Sequence, residues 1–234
     1  MKCPHIPAQS YQTIAPFPQL PLFILTFAFF LLASSPAKSV CLLPSLTQCS
    51  SYPDMLDRNE TLLVVIDVQE RMMPAIDGHE ELTAQISRLV SGCRQLEVPI
   101  LVTEQYSKGL GPTVAPVQES LGDWYRPLEK LAFSACKEVN FMTQLETAGR
   151  QEIILCGVES HICVYQTAMD LRELGYSVHI VADAVGSRAD RNYKLALKKM
   201  MRHGIDTTTV EMFLFELMER ADDPSFKAIQ ALVK

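Results

Sequence analysis

From residue 61 onward the chain alternates short runs of branched apolar residues with longer stretches whose apolar residues recur every three or four positions. That alternation leaves few folds open. The runs are Leu62 to Ile66, Ile100 to Thr103, Ile153 to Cys156 and Val178 to Val181. Continuous apolar runs this short suit strands buried on both faces, the condition of a parallel sheet covered by helices. Between the first two, Leu82, Ile86, Leu89, Cys93 and Leu96 share one face of a helix. A second helix is predicted from near Ser160 or His161 to Gly175, and a third over Arg191 to His203, closed by Gly204. Thr207 to Val210 reads as a strand and Pro224 to Val233 as a helix. Right-handed crossovers then give a three-layer α/β/α sandwich in one domain, with a mostly parallel sheet of Rossmann-like form. Ligands of such sheets bind beyond the carboxyl ends of the strands.

The first 54 residues are built differently. They hold three charged residues (Lys2, Lys38 and Asp54), no glycine, and eight of the fourteen prolines. The apolar run Leu22 to Leu32 is shorter than the roughly 20 residues a bilayer-spanning helix needs. It suits the apolar core of a secretory signal, with small residues around Ala37 for cleavage, although Lys2 is the single fixed cation before it. The other reading is upstream sequence translated from a misplaced start, with Met55 the initiator. Residues 1–54 are therefore expected to be a non-domain extension and residues 55–234 the folded domain. The domain is expected in the cytoplasm, or secreted or periplasmic if residues 1–37 are a real signal. Cys93, Cys136, Cys156 and Cys163 fall in apolar or helical contexts with no disulfide spacing, which fits reduced cysteines.

Lys and Arg number 21 against 27 Asp and Glu, a net charge of −6. No broad basic face is available for a phosphate backbone, so nucleic acid is not an expected partner. Nor is a membrane expected for the core domain.

The residues that close each apolar run are the ones to question. Asp67 follows the first, Lys130 follows the segment from Trp124 to Leu128, and Cys163 lies just past Ile153 to Cys156. A cysteine in the first turn of a helix meets unpaired N–H groups and the positive end of the dipole, which favours thiolate, and a neighbouring ammonium adds to this. An aspartate beside it could accept the thiol proton. Against this stands an ordinary reading: a capping aspartate, a solvated lysine and a packed cysteine.

The segments LLVVIDVQERM, LEKLAFSAC and GVESHICVYQTAMDL resemble, in order, three signature blocks of the isochorismatase-like cysteine hydrolases, over about residues 61 to 210. TEQYSKGLGPTVAPV and FKAIQALVK are similar to the isochorismatase-domain-containing subgroup. The resemblance implies a six-stranded sheet, a homo-oligomer (dimer or tetramer), a small-molecule substrate, and Asp67, Lys130 and Cys163 as catalytic triad. It also implies Asp67 as base, Cys163 as nucleophile forming a thioester, and the backbone N–H groups of Ile162 and Cys163 as oxyanion donors. Glu104, Gln105, Phe133 and Glu159 fall where family members line the pocket, and a cis peptide often precedes the Glu159 position. An amide, carbamoyl or ester-like bond is the expected target. The alternatives are vinyl-ether cleavage and a catalytically retired member acting as a binding or scaffold protein.

Thr103-Glu104-Gln105-Tyr106 stands where nicotinamidases of this superfamily carry an Asp-x-His metal pair, so neither a metal nor another cofactor is expected. His161, two positions before Cys163, should point away from it. Lys108 to Thr113 contains a G-x-G without the third glycine of a dinucleotide loop and reads as a mobile loop, a candidate lid.

Overall fold

The computed structural model describes residues 55–234; the expectations placed on residues 1–54 lie outside the described residues. In chain order the elements are β1 (Thr61–Ile66), α1 (His79–Gln95), β2 (Ile100–Gln105), α2 (Ser107–Leu110), α3 (Ala115–Leu121), β3 (Pro127–Lys130) and α4 (Val139–Ala148). Then come β4 (Glu152–Val158), α5 (Tyr165–Glu173), β5 (Ser177–Gly186), α6 (Asp190–Arg202), β6 (Asp206–Thr208), α7 (Val210–Met218) and α8 (Phe226–Val233). The strands form one six-stranded sheet in the order β3-β2-β1-β4-β5-β6, and every pair is parallel. The expected three-layer sandwich is the observed fold. No helix among the described residues is long and apolar enough to cross a membrane.

All six residues of β1 are fully buried, which is why the sequence shows there no alternation of apolar and polar residues. Leu62, Val64 and Ile66 pack with Phe141, Leu145, Ala168 and Ala196 of α4, α5 and α6. Leu63 and Val65 pack on the other face with Ile86 and Leu89 of α1 and Phe213 and Leu214 of α7. Each such side chain contributes roughly 1.5–3 kcal/mol by leaving water.

The direction in which successive strands are added to the sheet reverses at β1. From it the chain winds out through β2 to β3 on one side and through β4 to β6 on the other, so a crevice opens between the carboxyl ends of β1 and β4. Those two ends approach closely. Gly157 has φ +107, and a Cβ there would lie 2.1 Å from the carbonyl oxygen of Ile66, so only glycine fits beside the last residue of β1.

Two predicted boundaries shift. The helix expected from Ser160 begins as a π-helical turn, Ser160–Val164, before α5 takes over. The strand expected over Thr207 to Val210 is shorter, because Val210 opens α7, whose Thr209 side chain caps the N–H of Met212. The peptide joining Val158 to Glu159 is cis.

Candidate active site

Asp67 leaves β1 with φ +54, a left-handed conformation that aspartate tolerates better than most residues. Its N–H still donates to the Thr103 carbonyl (3.1 Å). The side chain is fully buried. Oδ1 accepts from Thr103 Oγ1 at 2.8 Å, and Oδ2 lies 2.7 Å from Lys130 Nζ. The second contact is a buried ion pair. Burial pushes the Asp67 carboxyl above the ordinary range, outweighing Lys130 and the Thr103 hydroxyl, which pull it down.

Lys130, the last residue of β3, is itself buried. Its ammonium donates to Gln105 Oε1 (2.7 Å), the Phe133 carbonyl (3.1 Å) and the Ala132 carbonyl (3.2 Å). A buried charge pair is sustained only when its remaining donors and acceptors are met, and the ends of β2 and β3 meet them here. Asp67 and Lys130 are thus brought together, and the Cys163 thiol is close enough for its ionisation to respond to both.

Cys163 sits in the π-helical turn after β4, 5% exposed. The expected resting thiolate is not what these surroundings produce. Burial first, and then the Asp67 carboxylate, push the thiol up to about 12, with Lys130 only partly offsetting them. The sequence places the cysteine near a helix start but does not show the anion beside it. The thiol's pKa is thus raised, beside a carboxylate whose pKa is raised as well.

Ile162 requires a correction as an oxyanion donor, since its N–H already donates to the Glu159 carbonyl at 2.9 Å. The N–H of Glu159 meets no backbone or side-chain partner among the described residues.

The four expected pocket residues do different work. Glu104 is buried, and its Oε1 accepts from Thr113 N–H (2.8 Å), Thr113 Oγ1 (2.8 Å) and Tyr125 Oη (2.7 Å), so it ties two loops together. Gln105 holds Lys130. Phe133 supplies Lys130 with its carbonyl while its ring is exposed. Glu159 is bound by Arg188, through Nε at 3.0 Å and through the backbone N–H at 2.9 Å. His161 turns to Ser187 and Asn192, as its spacing from Cys163 requires.

The segment read as a candidate lid is tied down. Residues 107–110 form α2, the Gly111 carbonyl accepts from Gln69 Nε2 (2.7 Å), the Gly109 carbonyl from Arg71 (2.8 Å), and Val114 N–H donates to Val68 (2.8 Å). Sequence reasoning missed Thr103 and Gln69. The only available signal was a polar residue closing one apolar run and another two places beyond Asp67.

A family model described as "Isochorismatase domain" matches residues 61–212. Isochorismatase domain-containing protein 2 of Danio rerio is 38% identical over 179 residues, covering 76% of this chain and 89% of that protein. The solved structure "MAR1 Ribonuclease" from Caenorhabditis elegans superposes with TM-score 0.72 at 37% identity, over 76% of this chain and 92% of that one. The Escherichia coli YcaC gene product, described as an octameric hydrolase of unknown specificity, shares the fold (TM-score 0.71, 20% identity, 76% of this chain and 88% of that one). The chain therefore belongs to the isochorismatase domain family, and its fold is that of an isochorismatase-family hydrolase.

Proposed function

We propose that this protein is a cysteine hydrolase in which Asp67, Lys130 and Cys163 cleave an amide, carbamoyl or ester-like bond of a small molecule. The reading is carried by the buried Asp67–Lys130 pair at 2.7 Å, set against a thiol whose ionisation both charges influence. Perturbed titrating groups of different kinds gathered at the carboxyl ends of a parallel sheet mark a reaction centre more often than a structural one.

As the Cys163 sulfur attacks the carbonyl carbon, Asp67 takes its proton, and a tetrahedral oxyanion forms. Collapse expels the leaving amine or alkoxide, which receives that proton from Asp67, and leaves a thioester on Cys163. Water then attacks the thioester with Asp67 again as base, and acid and free thiol are released. Lys130 keeps Asp67 in place and offsets its charge. The N–H groups of Glu159 and Cys163 are the proposed oxyanion donors, each worth about 3 kcal/mol in such a role. The exposed apolar side chains of Leu131, Phe133 and Val139 near Lys130 support assembly as a homo-oligomer, and the octameric description of the YcaC neighbour points the same way.

A second reading takes RNA as substrate. It is favoured by the ribonuclease description of the 37%-identical C. elegans structure and by a run of cations on α6, namely Arg191, Lys194, Lys198, Lys199 and Arg202. The net charge of −6 weighs against it. One panel separates the two: amides, carbamates, esters, vinyl ethers and a fluorogenic RNA, each offered to wild type and Cys163→Ala. Turnover of a small carbonyl compound lost in Cys163→Ala supports the hydrolase. Cleavage confined to RNA supports the second reading, and no turnover of anything contradicts both.

A further inference from the structure

The turn that carries Cys163 has a second side. Between it and α6 lies a cavity of about 220 Å³, lined by His161, Tyr165, Asn192, Leu195, Ala196 and Lys199. None of Asp67, Lys130 or Cys163 lines it. Its walls divide by chemistry: the Tyr165 ring, Leu195 and Ala196 are apolar, the other three are polar or cationic, and no carboxylate contributes.

The polar wall is partly pre-set and partly unspent. His161 is fixed at both ring nitrogens, Nδ1 at 2.9 Å from Ser187 Oγ and Nε2 at 3.3 Å from Asn192 Nδ2. Ser187 is fixed in turn by Ser160 at 2.8 Å. If Asn192 donates to Nε2, the ring proton lies on Nδ1 and the second Asn192 N–H stays available. Lys199 Nζ stands 4.6 Å from the centroid of the Tyr165 ring. Among the described residues neither that ammonium nor the Tyr165 hydroxyl has a hydrogen-bond or ion-pair partner, whereas Lys194 on the same helix is paired with Asp190 at 2.6 Å. Leu195 is left 60% exposed at the cavity edge.

We propose that this cavity is a second binding site, distinct from the Cys163 centre, for a small carboxylate with a short apolar body. Its carboxylate is received by Lys199, Asn192 and Tyr165, and its apolar part covers Leu195 and Ala196. The single unpaired ammonium sets one negative charge on the ligand. The volume, below the roughly 300–1,000 Å³ of drug-sized pockets, sets a small body. The other cations of α6 add a local positive field to a chain that is otherwise net acidic.

The test is a calorimetric titration with butyrate of the full chain carrying Cys163→Ala, so that neither turnover nor the nucleophile enters the readout. Its neutral counterpart of the same shape, 2-pentanone, serves as control. Saturable butyrate binding is expected, at least tenfold weaker for 2-pentanone, at least tenfold weaker after Lys199→Met, and at least tenfold weaker after Leu195→Trp, at the exposed edge of the cavity, crowds its mouth. Circular dichroism checks that each variant is folded. Failure to saturate overturns the proposal, and so does equal binding of the two compounds or butyrate affinity unchanged in both folded variants. Loss of the hydrolase reading would leave the result untouched, because the parent protein already lacks Cys163.

Discussion

The side-chain amide of Gln69 pairs with the backbone of Gln105 as a neighbouring strand would, accepting its N–H at 2.8 Å and donating to its carbonyl at 3.1 Å. Gln105 in turn offers its own side chain to Lys130 at 2.7 Å. A residue two places beyond Asp67 thereby fixes the end of β2 and, through it, the ammonium that faces Asp67. Replacing Gln69 by leucine strands the N–H of Gln105 and the carbonyls of Gln105 and Gly111. A loss of about 2 kcal/mol is expected from groups left unpaired in a half-buried setting, read as a lowered urea midpoint with the slope unchanged.

Asp67 and Lys130 should behave as a unit. Removing either partner alone, by Asp67→Asn or Lys130→Met, leaves an uncompensated buried charge or its abandoned acceptors and is expected to cost about 3–5 kcal/mol. The double variant should cost clearly less than the two single losses added together. Chemical denaturation of all four proteins gives the coupling directly, and additive losses would show that the 2.7 Å contact carries no net attraction.

The Cys163 thiol is held at about 12 by burial and by the Asp67 carboxylate, against roughly 8.5 for a free thiol. Without substrate it should react with iodoacetamide more slowly than a free thiol at pH 7, with a rate still climbing above pH 10. Removing the anion by Asp67→Asn lowers the thiol's pKa and moves the profile to lower pH. Removing the cation by Lys130→Met moves it to higher pH. Peptide mapping of alkylation at Cys163 checks both directions.

Tyr125 donates to the buried Glu104 at 2.7 Å, and burial together with that neighbouring carboxylate pushes its phenol up to about 12. Ultraviolet titration should show a tyrosine step near 12 that Tyr125→Phe removes, while Tyr193, which burial also raises, still ionises above the ordinary range near 10. That variant should also lose about 1 kcal/mol of stability, the net value of a typical hydrogen bond.

Much of the fold was legible because the central strands β1 and β4 are buried on both faces. Runs such as Leu62 to Ile66 carry their apolar character without a break, and Asp67 stands out by ending one. Helices with a narrow buried stripe were harder. In α4 only Phe141 and Leu145 are buried, too few to declare a period. In α7 the buried residues Val210, Phe213, Leu214, Leu217 and Met218 keep helical spacing, but exposed Met212 and half-buried Phe215 add apolar residues off that face and blur the signal. The polar supports escaped for a different reason. Thr103 and Gln69 matter through what they touch 36 residues away, and spacing along the chain carries no trace of that. The ionisation of Cys163 depends on the same kind of distant contact, which is why its place near a helix start points to a thiolate while burial and the Asp67 carboxylate push the thiol's pKa up.

The central claim is that acyl transfer passes through sulfur at one of the four described cysteines. Mixing the protein with p-nitrophenyl acetate, quenching in acid and mapping the peptides by mass spectrometry tests it. One acetyl group on Cys163, removable by hydroxylamine and lost with turnover in Cys163→Ala, is the predicted result. Acetylation of Cys93, Cys136 or Cys156 instead, or turnover that persists in Cys163→Ala, would contradict it.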